Sequence, residues 1–173
     1  LDELGEPRLP DELTRRFAAF VQHAWNPENG RFRNFMGYDR QWLDDGGSED
    51  SHGRTLWALG EYVRNPRNRA GREWAVPLFR NALPAVPSFV SPRGWAFTLL
   101  GLDAWCNAGK RDNDATRLRS ILAEGRMTTM RAAEAPEGVW FDPVPGDESA
   151  RRAQAMVQTG VATRHTSVTE RGT

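Results

Sequence analysis

The chain has 173 residues, of which 39% are hydrophobic and 27% are charged, so it is long enough for one domain with its own core. Lysine and arginine together number 23, as do aspartate and glutamate. With a net charge of zero, the chain lacks the excess of basic residues that is typical of proteins that bind nucleic acid or anionic membranes. The one cysteine, Cys106, excludes an intrachain disulfide and a multi-cysteine metal site. We expect no cofactor, no bound metal and no nucleic-acid partner.

No apolar run approaches the roughly 18 residues of a membrane span. The N-terminus also lacks the basic and then apolar pattern of a secretory signal peptide. We therefore expect a soluble, cytoplasmic protein with no membrane partner.

Hydrophobic periodicity predicts a succession of helices. Apolar residues recur at steps of three and four in the first of them, and Asn26-Pro27 ends it. Ser91-Pro92 is a strong start signal, because a capping residue there precedes a proline in the first turn. Pro77 falls inside a predicted helix and is expected to kink it. The predicted helices span residues 11–24, 48–63, 67–83, 92–108, 112–133 and, more weakly, 147–160, with a long loop at 26–47.

The predicted helices alternate in character, and no strand alternation is present. The second and fourth are apolar on nearly all sides and contain Leu59-Gly60 and Leu100-Gly101, whereas the first, third and fifth are less apolar. A loose repeat of helix pairs is typical of stacked hairpins, either an open solenoid or a closed α/α ring. We predict an all-α fold with one hairpin domain over residues 1–160 and a disordered tail over 161–173. The contrast between the two kinds of helix favours a ring.

Three stretches together resemble a known family: RFRNFMGYDRQWLDDGGSEDSHGRTLWALG (31–60), ALPAVPSFVSPRGWAFTLLGLDAW (82–105) and VWF (139–141). They are similar to bacterial proteins of the six-hairpin glycosidase superfamily, commonly labelled glycosyltransferase or glycosidase-like. The resemblance covers roughly residues 11–160. It implies an (α/α) toroid of six hairpins with carbohydrate chemistry at the mouth, where loops precede the inner helices.

This chain departs from the family pattern in two ways. It has about three hairpins, which is half of a ring. After Phe141 it reads DPVPGDESARRAQ, where relatives carry a Tyr-Asp-Asn-Ala-Arg run, and Asp142 stands where they usually have glutamate. These departures weaken the prediction of the last helix and the expectation that the chain is catalytically active.

Glycoside hydrolysis generally uses two carboxyl groups, about 5 Å apart for retention and about 6.5–9.5 Å apart for inversion. The loop and the helix after it supply four acids, Asp44, Asp45, Glu49 and Asp50. We select Glu49 and Asp50 as catalytic, with Asp50 as the base, because it lies at the start of an apolar helix. Asp142, beside Trp140-Phe141, is the predicted acid. The alternatives are that the loop acids are helix caps or solvated charges and that Asp142 is a turn residue.

The remaining candidates would bind the sugar itself. Aromatic rings would stack on pyranose faces, and histidine, arginine and acidic side chains would hydrogen-bond to hydroxyl groups. Burial of the aromatics in the core is the alternative for each ring. The predicted substrate-binding residues are Tyr38, Asp39, Trp42, Asp45, His52, Arg54 and Trp95.

Two hypotheses for function follow. In the first, the chain is a carbohydrate-active, glycoside hydrolase-like protein that acts on or binds an oligosaccharide, including a truncated form without activity. In the second, it is a non-catalytic helical-repeat module that binds a protein or a sugar. A terpene-cyclase type of toroid ranks lower because the usual Asp-rich metal motif is missing. Transfer from a sugar nucleotide is disfavoured because the sequence has no Gly-rich phosphate loop.

Half of a ring would leave the faces of its inner helices without neighbours. Exposed apolar faces of that kind mark association. We therefore predict a homodimer that covers them.

Overall fold

The computed structural model describes residues 8–65, 69–109 and 112–132, with side chains described over 12–65, 69–109 and 112–125. These residues are mostly helical, and the all-α prediction is confirmed for them. None of their helices is long and apolar enough to cross a membrane. The elements are α1 (Arg8–Ala24), β1 (Trp25–Asn26), β2 (Arg31–Phe32), α2 (Glu49–Arg64), α3 (Arg69–Ala82), a 3-10 helix (Leu83–Ser88), α4 (Pro92–Asn107) and α5 (Asn113–Ala132).

The chain forms two compact units, residues 1–47 and residues 48–173, called here the first and second unit. The first unit contains α1 and the long loop. β1 and β2 pair antiparallel, with Trp25 opposite Phe32. Gly30 closes the turn between them at a φ of 67°, a left-handed conformation that glycine adopts without strain. Strands of two residues are too short for an alternating pattern, so periodicity did not predict them.

Exposed apolar side chains concentrate in the first unit. Phe17 on α1 is 68% exposed and Phe20 is 50% exposed, although their spacing is what predicts the helix. The periodicity therefore located α1 correctly, but its apolar stripe is not a buried face. The large apolar side chains exposed in this unit are Leu13, Phe17, Phe20, Phe35, Tyr38 and Leu43.

The described part of the second unit contains two antiparallel helix pairs. In the first pair, Arg72 Nε on α3 donates to the Val63 carbonyl near the end of α2. In the second, Arg119 on α5 pairs with Asp103 on α4. Phe79 of α3 stacks on Trp105 of α4, with the ring centroids 4.3 Å apart, and so joins the two pairs. The largest fully buried apolar side chains in the described part of this unit are Leu56, Val63, Phe79, Phe97, Leu99, Leu102 and Trp105.

The most extensive helix contact joins α2 and α4, which run parallel to each other. A Cβ atom on Gly60 would lie 2.5 Å from the Gly101 carbonyl oxygen, and one on Gly101 would lie 2.7 Å from the Leu56 carbonyl carbon. Gly53 and Gly94 make the same kind of approach seven residues earlier on their helices. The two backbones are therefore in direct contact, which only residues without side chains permit.

The predicted helix bounds agree with the structure to within a few residues. α1 begins at Arg8 rather than at residue 11, since Pro10 falls in the first turn, where a missing N–H costs little. α3 continues through Pro77 from Arg69 to Ala82. The weak helix predicted over 147–160 and the tail over 161–173 lie outside the described residues, and the single domain over 1–160 stays a prediction.

Candidate functional site

The N-terminal ends of α2 and α4 lie together in the second unit, as the parallel packing requires. A Cβ atom on Gly94 would come 2.9 Å from the Cβ atom of Glu49, so the first turns of the two helices touch. Four polar side chains meet at this point: Glu49 and Asp50 from α2, and Ser91 and Arg93 at the start of α4. We call them the helix-end cluster.

Glu49 binds the backbone that leads into α4. Its Oε2 atom accepts hydrogen bonds from the N–H groups of Val90, at 2.9 Å, and Ser91, at 2.5 Å. These N–H groups precede the first turn of α4, where an anion is favoured by the helix dipole. Glu49 therefore links the start of α2 to the start of α4. It differs from a helix cap, because the N–H groups that it binds do not belong to its own helix.

Both oxygens of Asp50 have partners on α4. Oδ1 accepts a hydrogen bond of 3.0 Å from the Ser91 hydroxyl, and Oδ2 lies 3.3 Å from Arg93 Nε. Ser91 Oγ also accepts the Gly94 N–H and so caps α4. The cap of α2 is Ser48, whose Oγ accepts the Ser51 N–H. Asp50 is thus not the cap of its own helix but is half-buried in a bridge between two helices.

His52 is fully buried behind the helix-end cluster. Its Nε2 atom lies 3.0 Å from the carbonyl oxygen of Ala82, to which it donates in the tautomer that carries a proton there. Its ring meets Phe89 edge to face, with a centroid distance of 5.3 Å. In this arrangement the imidazole joins α2 to the end of α3 and has no exposed surface for a ligand.

The other two predicted contacts on this unit are more accessible. Arg54 is exposed, and its guanidinium lies 4.4 Å from the centre of the Phe97 ring. Trp95 is half-buried, and its indole N–H donates to the Phe89 carbonyl at 2.8 Å. The Arg54 guanidinium stacks on Phe97 and is still accessible to solvent. The only hydrogen-bond donor of the Trp95 side chain, in contrast, is used within the protein.

The loop acids of the first unit differ in their availability. The Asp44 carboxylate accepts hydrogen bonds from the N–H groups of Asn34 and Phe35, which fixes the loop. Asp45 is held through its carbonyl oxygen, which accepts bonds from the Asn26 and Asn29 side-chain amides. Its side chain is exposed, so Asp45 presents a carboxylate outward from a fixed backbone.

Tyr38 and Asp39 lie at the tip of a narrow loop closed by a bridge between Met36 and Trp42. Tyr38 is fully exposed. Asp39 Oδ1 accepts the Gln41 N–H at 3.1 Å and so stabilises the turn. The exposed Tyr38 ring therefore lies on a hydrogen-bonded turn, which the Asp39 side chain stabilises.

Trp42 is half-buried in an aromatic group within the first unit. Its ring lies 5.8 Å from Phe20 and 5.3 Å from His23, centroid to centroid. The Arg33 guanidinium lies 6.0 Å from the same ring. Trp42 therefore packs against α1 with part of its surface and leaves part of it accessible.

At the opposite ends of α2 and α4 lies a partly buried ion pair. Arg119 Nη1 lies 3.5 Å from Asp103 Oδ1, and the side chains are 12% and 15% exposed. Burial raises the pKa of Asp103 above its ordinary value of 3.8, against the opposing charges of Arg119 and Arg64.

The predicted acid Asp142 lies outside the described residues. Within the described ranges, no three His, Cys, Asp or Glu side chains lie close enough to hold a metal ion. Sequence reasoning missed Arg93 as the partner of Asp50. The sequence places Arg93 directly after the Ser91-Pro92 start of a helix. It does not show that this helix end lies beside the start of α2, because that is a tertiary contact.

Comparison of the chain with models of known protein families, with curated proteins and with solved structures found no match.

Proposed function

We propose that the protein is a carbohydrate-active, glycosidase-like (α/α) protein that acts on or binds an oligosaccharide at the helix-end cluster. The observation that carries this proposal is the meeting of two parallel helices at their N-terminal ends, with acidic, hydroxyl and guanidinium groups at the junction. Polar groups that converge at the ends of buried elements are the usual composition of a small-molecule site.

The helix arrangement supports the hairpin part of the proposal. In stacked α/α hairpins, consecutive inner helices are parallel neighbours and each packs against an antiparallel outer helix. α2 and α4 have the first relation, and α2 with α3 and α4 with α5 have the second. We propose that these two pairs are consecutive hairpins of a toroid-like array, with α2 and α4 on its inner wall.

In this proposal Asp50 is the base, Glu49 its neighbour in the site, and Arg54 a donor to sugar hydroxyl groups. The bridge to Ser91 and Arg93 holds the Asp50 carboxylate in one orientation, which a base needs if it is to meet a water or an anomeric carbon. Tyr38 and Asp45, which are exposed in the first unit, are proposed as sugar contacts of that unit taken by itself.

A second candidate function is favoured by the same bridge. Both oxygens of Asp50 and the Oε2 atom of Glu49 are already hydrogen-bonded to α4. Carboxylates that are hydrogen-bonded in this way stabilise a fold. In a protein without catalytic activity, this stabilising role alone would account for Glu49 and Asp50. This chain would then be a non-catalytic helical-repeat protein that binds a sugar or a protein.

A glycan array followed by calorimetry and a reducing-end assay tests both candidates. Asp50→Asn removes the charge and keeps the shape, and Glu61→Gln on the same helix is the matched control. Turnover that is lost in Asp50→Asn and kept in the control, at unchanged binding, supports the glycosidase-like function. Binding without turnover in the unmodified chain supports the second candidate. Absence of binding across the array refutes a carbohydrate function.

A further inference from the structure

A second concave site lies in the second unit, away from the helix-end cluster. It is a cavity of about 650 Å³ between the end of α3, the 3-10 helix and the first half of α5. Volumes of roughly 300–1,000 Å³ are typical of sites for small ligands. The cavity contains none of the residues assigned above to the proposed carbohydrate site.

The walls of the cavity are apolar and largely fixed. Prolines have a restricted φ, and two of them stand in the short 3-10 helix, so this wall is rigid. On the facing wall Ile121 is 52% exposed, although it is a large apolar side chain. An accessible apolar surface inside a concavity favours a ligand with apolar groups. The apolar lining residues are Leu83, Pro84, Pro87, Leu118 and Ile121.

Two of the four charged residues in the lining neutralise each other. Arg80 Nε lies 3.2 Å from Asp112 Oδ2, and the Arg80 guanidinium lies 5.7 Å from the centre of the Trp105 ring. Burial raises the pKa of Asp112, but the Ala115 N–H and the Arg80 guanidinium lower it by more, so the net pKa is below 3.8. This pair is satisfied within the protein.

The other two, Asp114 and Arg117, are exposed and form no ion pair with any described residue. They are three positions apart on α5, which places their Cβ atoms roughly 5–6 Å apart on one side of the helix. The rim of the cavity therefore offers one anion and one cation on the same side of the helix. Two residues of extended peptide span at most about 7 Å, so a dipeptide is short enough for its two ends to reach these two side chains from one position in the cavity.

We propose that this cavity binds a short apolar peptide with free termini, its carboxylate on Arg117, its ammonium on Asp114 and its side chains against the apolar walls. Charge complementarity selects this ligand over a fatty acid, which would leave Asp114 opposed to a like charge or to apolar surface. It also selects it over a neutral apolar molecule, which would leave both charges without partners.

Calorimetric titration of the full chain with the dipeptide leucyl-phenylalanine tests the proposal, with its N-acetyl and C-amide forms as parallel ligands. Exposed charge pairs contribute up to about 1 kcal/mol, so each charge removed is expected to weaken binding about three- to fivefold. Arg117→Gln should weaken binding of the dipeptide and the acetyl form and leave the amide form unchanged. Asp114→Asn should weaken binding of the dipeptide and the amide form and leave the acetyl form unchanged.

Ile121→Glu tests the apolar wall and should weaken all three forms at least about tenfold, because it puts a charge where side chains would pack. Arg69→Gln, an exposed arginine on α3, is the control and should change nothing. The absence of saturable binding up to about 10 mM, the weakest range that a specific site would show, overturns the proposal. Equal losses for all three ligands in Arg117→Gln and Asp114→Asn overturn the assignment of the termini.

Discussion

Replacement of Gly60 by alanine tests the contact between α2 and α4 directly. The added Cβ atom would lie 2.5 Å from the Gly101 carbonyl oxygen and 3.3 Å from the Ala104 Cβ atom. Ordinary carbon-to-oxygen contacts between helices are about 3.3–3.6 Å, so the two backbones must separate locally by roughly 1 Å. The obstacle is backbone on both sides, and it cannot move away as a flexible side chain would.

The magnitude follows from two opposing effects. Overpacking of a close-packed interior costs typically 1–3 kcal/mol, and a rigid neighbour places Gly60→Ala near the upper end, about 3 kcal/mol. Alanine is favoured over glycine inside a helix by about 1 kcal/mol. The expected net loss in the free energy of unfolding is about 2 kcal/mol, which corresponds to a melting temperature lower by roughly 4–8 °C for a chain of this length.

The chain provides a matched control for this experiment. A Cβ atom on Gly125, within α5, would meet no atom of the described residues within 4 Å. Gly125→Ala should therefore show the helix-propensity gain alone, up to about 1 kcal/mol. Urea unfolding followed by tryptophan fluorescence and circular dichroism gives both values, with the slope against urea checked for constancy.

Equal or greater stability of Gly60→Ala relative to the unmodified chain would refute the backbone contact. The double variant Gly60→Ala/Gly101→Ala provides a further check. If the first substitution already separates the helices, the second should cost less than it does alone, and the two losses should not add.

Three further predictions concern the cap of α5, the helix-end cluster and the assembly. Asp112→Asn should lower stability by up to about 1 kcal/mol at pH 7, because the asparagine oxygen can still accept the Ala115 N–H but the charge that pairs with Arg80 and favours the start of α5 is lost. Since the pKa of Asp112 is lowered by folding, its contribution is present above 3.8 and is lost as the pH falls through the folded-state value, so the stability difference between the two proteins should shrink as the pH is lowered below 3.8 in urea titrations at several pH values. Glu49→Ala should cost about 1–3 kcal/mol, since the N–H groups of Val90 and Ser91 lose a charged acceptor, and a melting temperature equal to that of Glu61→Gln would contradict this. Light scattering should give twice the mass of one chain if the predicted homodimer forms, and the mass of a single chain would refute the dimer.

Much of the secondary structure could be predicted because its signals are local. Ser91-Pro92 marks the start of α4 through a cap and a proline that act within one turn. The apolar run after Ser48 identifies α2, and the structure places the helix at Glu49–Arg64. Such signals do not depend on what the helix packs against.

The tertiary contacts could not be predicted in the same way. A glycine inside a helical pattern is ordinarily a cost, and nothing local indicates that Gly53 and Gly94 are the places where two backbones touch. The stripe that includes Phe17 predicts burial, yet that side chain is exposed, because periodicity identifies a face without its neighbour. In the candidate site, too, the local features could be predicted and the tertiary contacts could not. The acids at the start of α2 were found from sequence, but their partners on α4 depend on a pairing of helices.

The glycine contact also has a mechanical consequence for the helix-end cluster. Gly60 lies 11 residues after Glu49, about 16 Å along the helix, and its close approach to Gly101 adds a second backbone contact between α2 and α4 to the one at Gly53 and Gly94. The two helices should therefore move as one stiff body, so that thermal motion cannot readily separate their acidic ends. A molecule that binds there would meet groups whose orientation is already fixed, and little of its binding free energy would be lost in ordering them.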